Sequence, residues 1–286
     1  MAADPKPVAL GTPAPPAPVD PTLETEARLR AEILSRVEEI HRLRKAREHF
    51  VPGVSKVNYA GRVFEGSPRY LPRNGRPVVS AAAEHLVATA RAMPRGEPLY
   101  VLALGCVTNI ASALRKAPDI AQRIVVVWTS GYPSTAALSN EDSFNLVQDV
   151  AASRCLFDSG VPLVYLPGFH VGAQLRLSLA EMDRHVRGRG AIGRYLHHLF
   201  THNPLWTIHP VDTTRPYTWV IWDLICVAWV MQPDWVPSRL VRTPRLDARL
   251  HWQADGARPL MREAHAVQRD AIFNDFFARL DAHAAR

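Results

Sequence analysis

Two short apolar runs constrain this chain more than any other feature: Leu99-Tyr100-Val101-Leu102-Ala103-Leu104 and Ile124-Val125-Val126-Val127-Trp128. Neither alternates apolar with polar residues, so neither reads as a strand with one wet face. Uninterrupted apolar strands are buried on both sides, and in soluble folds that means a parallel sheet covered by helices. A third run at 162–166 fits the same role. Between and around these runs, helical spacing or capping signals predict helices over 80–92, 109–116, 146–159, 179–200, 223–231 and 270–282. Ser80 is the expected N-cap of the first, with Glu84 in its first turn. Strands and helices in alternation predict a three-layer α/β architecture, a mostly parallel sheet flanked by helices.

With 286 residues, 47% of them hydrophobic, the chain can bury one large core. Residues 1–22 hold seven prolines, Pro5, Pro7, Pro13, Pro15, Pro16, Pro18 and Pro21, which exclude helix and central strand there. The division expected is therefore a Pro-rich segment, 1–22, and one domain, 23–286. Within the domain, Leu29, Ile33, Val37, Ile40 and Leu43 mark a long amphipathic helix over 23–48, and 51–77 reads as irregular connection.

No apolar run approaches the roughly 18 to 20 residues of a membrane span. No basic segment leads into an apolar stretch at the N-terminus, so a cytoplasmic location is the default expectation. The net charge of +7 raises the question of nucleic acid, but the basic residues are scattered. The densest cluster, Arg36 to Arg47, includes Glu38 and Glu39 and reads as a solvated helix face rather than a phosphate-binding surface. Cys106, Cys155 and Cys226 lie far apart among apolar neighbours and read as small buried residues.

Ligands of parallel α/β sheets bind where loops leave the carboxyl ends of the strands. Two segments of this chain occupy such places: Gly105-Cys106-Val107-Thr108-Asn109 after the first run, and Asn140-Glu141-Asp142-Ser143-Phe144-Asn145-Leu146-Val147-Gln148-Asp149 beyond the second. A third, Val220-Ile221-Trp222-Asp223-Leu224-Ile225-Cys226-Val227-Ala228-Trp229, and the terminal Arg269-Asp270-Ala271-Ile272-Phe273-Asn274-Asp275-Phe276-Phe277 complete an ordered set. In order and spacing the set resembles the inosine/uridine-preferring nucleoside hydrolases, over roughly residues 23–282, and in detail a bacterial and fungal branch of them.

That resemblance implies a nucleoside-hydrolase-like fold and, as ancestral reaction, hydrolysis of the N-glycosidic bond of a ribonucleoside to ribose and base. It implies calcium as cofactor, with the carbonyl of Thr108 and the carboxylate of Asp223 among the metal ligands. A hard cation takes oxygen ligands, which both supply. Each position also has a plainer reading: Thr108 could cap the helix beginning at Asn109, and Asp223 is a favoured N-cap type. Substrate binding falls to Ser143, Asn145 and Trp222. Asn145 matches the family's ribose-binding asparagine, whereas Ser143 stands where the family carries Glu, and a hydroxyl grips a sugar more weakly than a carboxylate does. Trp222 stands where many members carry a proton-donating His; an indole can stack on a base but cannot deliver a proton.

The family's diagnostic Asp-x-Asp-x-x-x-Asp-Asp loop, which supplies calcium ligands and the general-base Asp, is absent: before Asp119 the sequence contains only Asp4 and Asp20. No catalytic residue can therefore be named. Val8-Ala9-Leu10-Gly11-Thr12 resembles a later element of the family, so the first strand and its loop are expected upstream of Met1 or lost. The expectation is a weakly active or inactive nucleoside-hydrolase-like protein acting on a ribonucleoside-like small molecule; the alternative is a non-catalytic nucleoside-binding or assembly protein. The resemblance also implies that a homo-oligomer can form; the short apolar runs and the scattered basic residues argue against membrane and nucleic acid as partners. His197, His198, His202 and His209 cluster, but helical spacing puts only two of the first three on one face, against a zinc site. Trp206, Trp219, Trp222, Trp229 and Trp235 read as core and pocket-wall residues.

Overall fold

A computed structural model describes residues 63–285 apart from position 208. The Pro-rich segment 1–22, the 23–48 helix and the Arg36 to Arg47 cluster lie outside the described residues.

Among the described residues the main sheet holds five strands, in the spatial order Leu99–Ala103, Ile124–Ser130, Leu163–Pro167, Leu260–Ala264, Ser238–Arg242. β1 (Leu99–Ala103), β2 (Ile124–Ser130), β3 (Leu163–Pro167) and β9 (Leu260–Ala264) run parallel, and β6 (Ser238–Arg242) closes one side antiparallel to β9. In register, Val101 faces Val126 and Trp128 faces Tyr165 across neighbouring strands. One face of the sheet packs against α1 (Ala81–Ala92), α2 (Thr108–Lys116) and α3 (Val150–Asp158) through Val126, Trp128 and Tyr165. The other, through Val127, Val164 and Leu166, meets α5 (Leu224–Met231) and α6 (Arg269–Ala284). This is the three-layer arrangement the apolar runs predict, because β2 and β3 have no face left for water.

Local chemistry sets the helix starts. Ser80 caps α1 by accepting from the Ala83 amide at 3.2 Å, as its residue type predicts. The helix expected over 146–159 is in fact a single turn, Phe144–Val147, followed by α3. Asp149 divides them: its side chain leaves the helical path and accepts from the Ala152 amide at 2.9 Å, starting α3 afresh. The helix expected over 179–200 is likewise split. Ser178 and Glu181 form a reciprocal capping box, a π-turn follows over Met182–Val186, and α4 (Gly190–Thr201) begins at Gly190, whose φ of 66° breaks the preceding turn.

Four other differences have physical reasons. β1 is not buried on both faces: it stands at one edge of the described sheet, and Tyr100 is 47% exposed. β6 and β9 escape the periodicity argument because Arg239, Arg242, Arg262 and Glu263 interrupt their apolar runs. The two-stranded ribbons β4 (Arg176–Ser178) with β5 (Thr218–Val220), and β7 (Arg245–Leu246) with β8 (Trp252–Gln253), are too short for any pattern to declare itself. Cys155 and Cys226 are buried as expected, but Cys106 is only half-buried; all three are free thiols. Among the described residues no helix is long and apolar enough to cross a membrane.

Candidate functional site

The start of α2 after β1 carries Thr108, the loop after β2 and its closing helical turn carry Ser143 and Asn145, and the turn between β5 and α5 carries Trp222 and Asp223. The β2 loop is the most constrained. Gly131 has φ 57°, and a Cβ there would stand 2.5 Å from Asn140 Oδ1 and 2.6 Å from Tyr165 Oη, so only glycine fits. Asn140, fully buried, accepts from the Tyr132 amide at 2.7 Å and donates to the Leu250 carbonyl at 2.8 Å. The Tyr132 carbonyl accepts from Tyr165 Oη and from Trp252 Nε1, at 2.7 and 2.9 Å. Buried Glu263, on β9, accepts from both the amide and the hydroxyl of Ser134, at 2.6 and 2.5 Å. Neither Asn140 nor Glu263 receives a role from sequence pattern, and their burial alone would not reveal one; only the fold brings them to this loop.

Ser143 and Asn145 close the loop. The Ser143 hydroxyl, 4% exposed, accepts from the Gly131 amide at 2.7 Å and shares a hydrogen bond with Ser130 Oγ at 2.8 Å. It is thus engaged within the protein. Asn145 donates through Nδ2 to the Thr129 carbonyl at 3.1 Å, which leaves Oδ1 as its acceptor. Thr129 Oγ1, beside them at the end of β2, is buried and has no partner among the described residues.

At the β1 loop, Thr108 is the first residue of α2 and does not cap it; Val107 holds that position without a side-chain bond. Instead Thr108 Oγ1 donates to Asp149 Oδ2 at 2.5 Å, and the same oxygen accepts from the Leu71 amide at 2.7 Å. Asp149 therefore ties together the segment before α1, the start of α2 and the start of α3. Asn109 plays a parallel part: its Oδ1 accepts from the Ser67 amide, the Ser67 hydroxyl and the Ser80 hydroxyl, at 2.8, 2.7 and 3.0 Å.

Trp222 and Asp223 sit at the turn into α5. Asp223 occupies the N-cap position but makes no capping bond with its side chain. It has an exposed surface, yet enough protein crowds the carboxylate that desolvation raises its pKa above the usual range. Burial, and then the charge of Asp223, push the Cys226 thiol up as well; its Sγ reaches toward the Ala103 carbonyl at 3.9 Å, which places α5 over the end of β1. Trp222 lies beside Gly172 and meets Phe169 edge-on at 6.1 Å between ring centroids. Phe169 packs on Tyr132 at 4.5 Å, and Tyr132 meets His170 at 5.3 Å. The result is an aromatic wall running from the β5–α5 turn across the β3 loop to the β2 loop.

The calcium set implied by resemblance does not assemble from these residues. Among the described residues no group of three or more His, Cys, Asp or Glu side chains could hold a metal ion. Asp223 and one Thr108 carbonyl fall well short of the roughly six to eight oxygens calcium takes. The histidine cluster is likewise accounted for by other contacts: His197 bonds Asp183 at 2.8 Å, and His198 stacks on His202. Of the tryptophans, Trp229 is buried in the core, and Trp206 packs against Trp219 at 6.3 Å.

A family model described as inosine-uridine preferring nucleoside hydrolase matches residues 4–271. The chain is 30% identical over 147 residues to a non-specific ribonucleoside hydrolase, RihC, of Escherichia coli, covering 48% of this chain and 43% of that protein. With RihC of Escherichia fergusonii the identity is 28% over 175 residues, 58% of this chain and 51% of the relative. The chain spans about half the length of the curated relatives it matches. Among solved structures, a purine-preferring ribonucleoside hydrolase from Gardnerella vaginalis superposes with a TM-score of 0.59 at 23% identity, covering 71% of this chain and 66% of that one. An inosine-uridine preferring nucleoside hydrolase from Bacillus anthracis gives 0.55 at 19% identity, covering 71% and 65%. These two superpositions speak for the fold.

Proposed function

Because the chain belongs to the inosine-uridine preferring nucleoside hydrolase family, we propose that it binds a ribonucleoside-like small molecule at the carboxyl edge of its sheet and that these 286 residues hydrolyse it weakly or not at all. The observation that carries this reading is the state of the Ser143 hydroxyl. Where the resemblance implies a carboxylate reaching for ribose, a short side chain is spent on Gly131 and Ser130, holding the loop in shape. The loop's form is kept while its grip on the sugar is reduced.

Asn145 then supplies the sugar contact through its free acceptor, and Trp222 the flat surface on which a base can lie. Hydrolysis is another matter. Breaking an N-glycosidic bond develops positive charge on the sugar, and the family meets it with carboxylates and a metal-activated water. The 286 residues contain no Asp-x-Asp-x-x-x-Asp-Asp run, and Thr108 and Asp223, the metal positions implied by resemblance, supply at most three oxygens by themselves, one carbonyl and one carboxylate.

Calorimetric titration of the full chain with inosine and uridine tests the binding half. Saturable binding, weakened by Asn145→Ala and by Trp222→Ala, supports it. Absence of binding, or binding indifferent to both substitutions, would overturn it.

A further inference from the structure

His170 sits in an uncommon backbone conformation. Its φ is 69°, in the left-handed region, which residues with a Cβ adopt at a cost, histidine, asparagine and aspartate more often than the rest. Only Leu250 shares this among the described non-glycine residues, and Leu250 is buried in the core, with its carbonyl held by Asn140. His170 is exposed and gains no such burial.

The turn is nonetheless firmly held. Gly168 and Phe169 donate their amides to the Ser130 and Gly131 carbonyls, at 3.1 and 3.0 Å, and Gln174 Nε2 donates to the His170 carbonyl at 2.7 Å. The strained residue is thus pinned against the β2 loop, at the far end of the aromatic wall from Trp222. Strain held in place by its surroundings, at a ligand-facing loop, points to a task for the side chain.

We infer that His170 reads the polar edge of the ligand's heterocyclic base while Trp222, Phe169 and Tyr132 contact its flat surfaces. This rests on the nucleoside-binding reading above and adds the part of the ligand that is recognised. Ribose presents hydroxyls and no flat face, so an aromatic wall suits the base instead. A neutral imidazole offers one donor and one acceptor, which matches ring nitrogens and carbonyls on the rim of a purine or pyrimidine.

The full chain and its His170→Gly and His170→Asn variants are titrated with inosine and, separately, with ribose, and their melting temperatures are compared. His170→Gly relieves the backbone and removes the imidazole: inosine affinity falls about tenfold, the loss of one good hydrogen bond, while Tm holds or rises by up to about 2 °C, since the freedom glycine adds to the unfolded chain offsets part of the relief. Ribose affinity does not change. His170→Asn, which tolerates the same φ and keeps a donor and an acceptor, retains inosine affinity better than His170→Gly. Unchanged inosine affinity in His170→Gly, an equal loss for ribose, or a fall in Tm would each overturn the inference while leaving the nucleoside-binding reading intact. Failure of the unmodified chain to bind either compound would overturn that reading, and this inference with it.

Discussion

Replacing Asp149 by alanine should be among the most damaging single substitutions in the described body. The carboxylate is 3% exposed and is engaged at both oxygens: Oδ1 with the Ala152 amide, and Oδ2 with the Leu71 amide and the Thr108 hydroxyl. Loss of the helix cap costs about 1 kcal/mol. Each buried donor left without an acceptor costs about 1–3 kcal/mol. The Thr108 hydroxyl can turn, since Cys106 Sγ lies 3.7 Å away, so its share falls at the low end. Together the loss is about 3–5 kcal/mol. Asp149→Asn separates the contributions. It keeps a capping oxygen but sets an amide NH2 against the Leu71 N–H, for a loss of about 1–3 kcal/mol. Urea denaturation followed by circular dichroism reads both values as shifts in midpoint at constant slope. A cost below about 1 kcal/mol for Asp149→Ala would refute the view that this residue joins three segments.

Ser143→Ala should destabilise the fold by about 1–3 kcal/mol, because the buried Gly131 amide loses its acceptor, yet change inosine affinity little; calorimetry showing a large affinity loss with unchanged stability would mean that the hydroxyl serves the ligand instead. Glu181 supplies a pH test. Burial acts to raise its pKa, but hydrogen bonds from Ser178 and Arg269 outweigh that and the net shift is downward. A depressed carboxyl pKa stabilises the folded state above the unfolded value of about 4.3 and loses that contribution as pH falls through the folded value. Glu181→Gln, which keeps the capping box, should therefore melt below the unmodified chain at pH 7 and converge with it in acid. A gap that persists unchanged at low pH would contradict the assignment.

Some of this molecule is legible from residues alone, and the reasons are specific. β2 and β3 announce themselves because burial on both faces demands unbroken apolar sequence, and α1 because Ser80 is a capping residue placed before a helical run. The split at Asp149 is hidden for the opposite reason. Aspartate tolerates both helix and cap, and the choice is made by Leu71 and Thr108, which approach from elsewhere in the chain. Trp222, Asp223, Ser143 and Asn145 are candidates by resemblance of their neighbours in sequence to a family's motifs. That Ser143 turns inward, that Glu263 anchors Ser134, and that His170 takes a left-handed conformation against Tyr132 are facts of tertiary contact, with no local pattern to betray them.

The most direct test of the central claim is a hydrolysis assay on the 286-residue chain, with inosine and uridine as substrates, calcium added, and ribose release followed by its reducing end. We expect saturable binding of the nucleoside and ribose release at or barely above the buffer blank, with no change on Asp223→Ala. Turnover above the blank that depends on calcium and is abolished by Asp223→Ala would contradict the account.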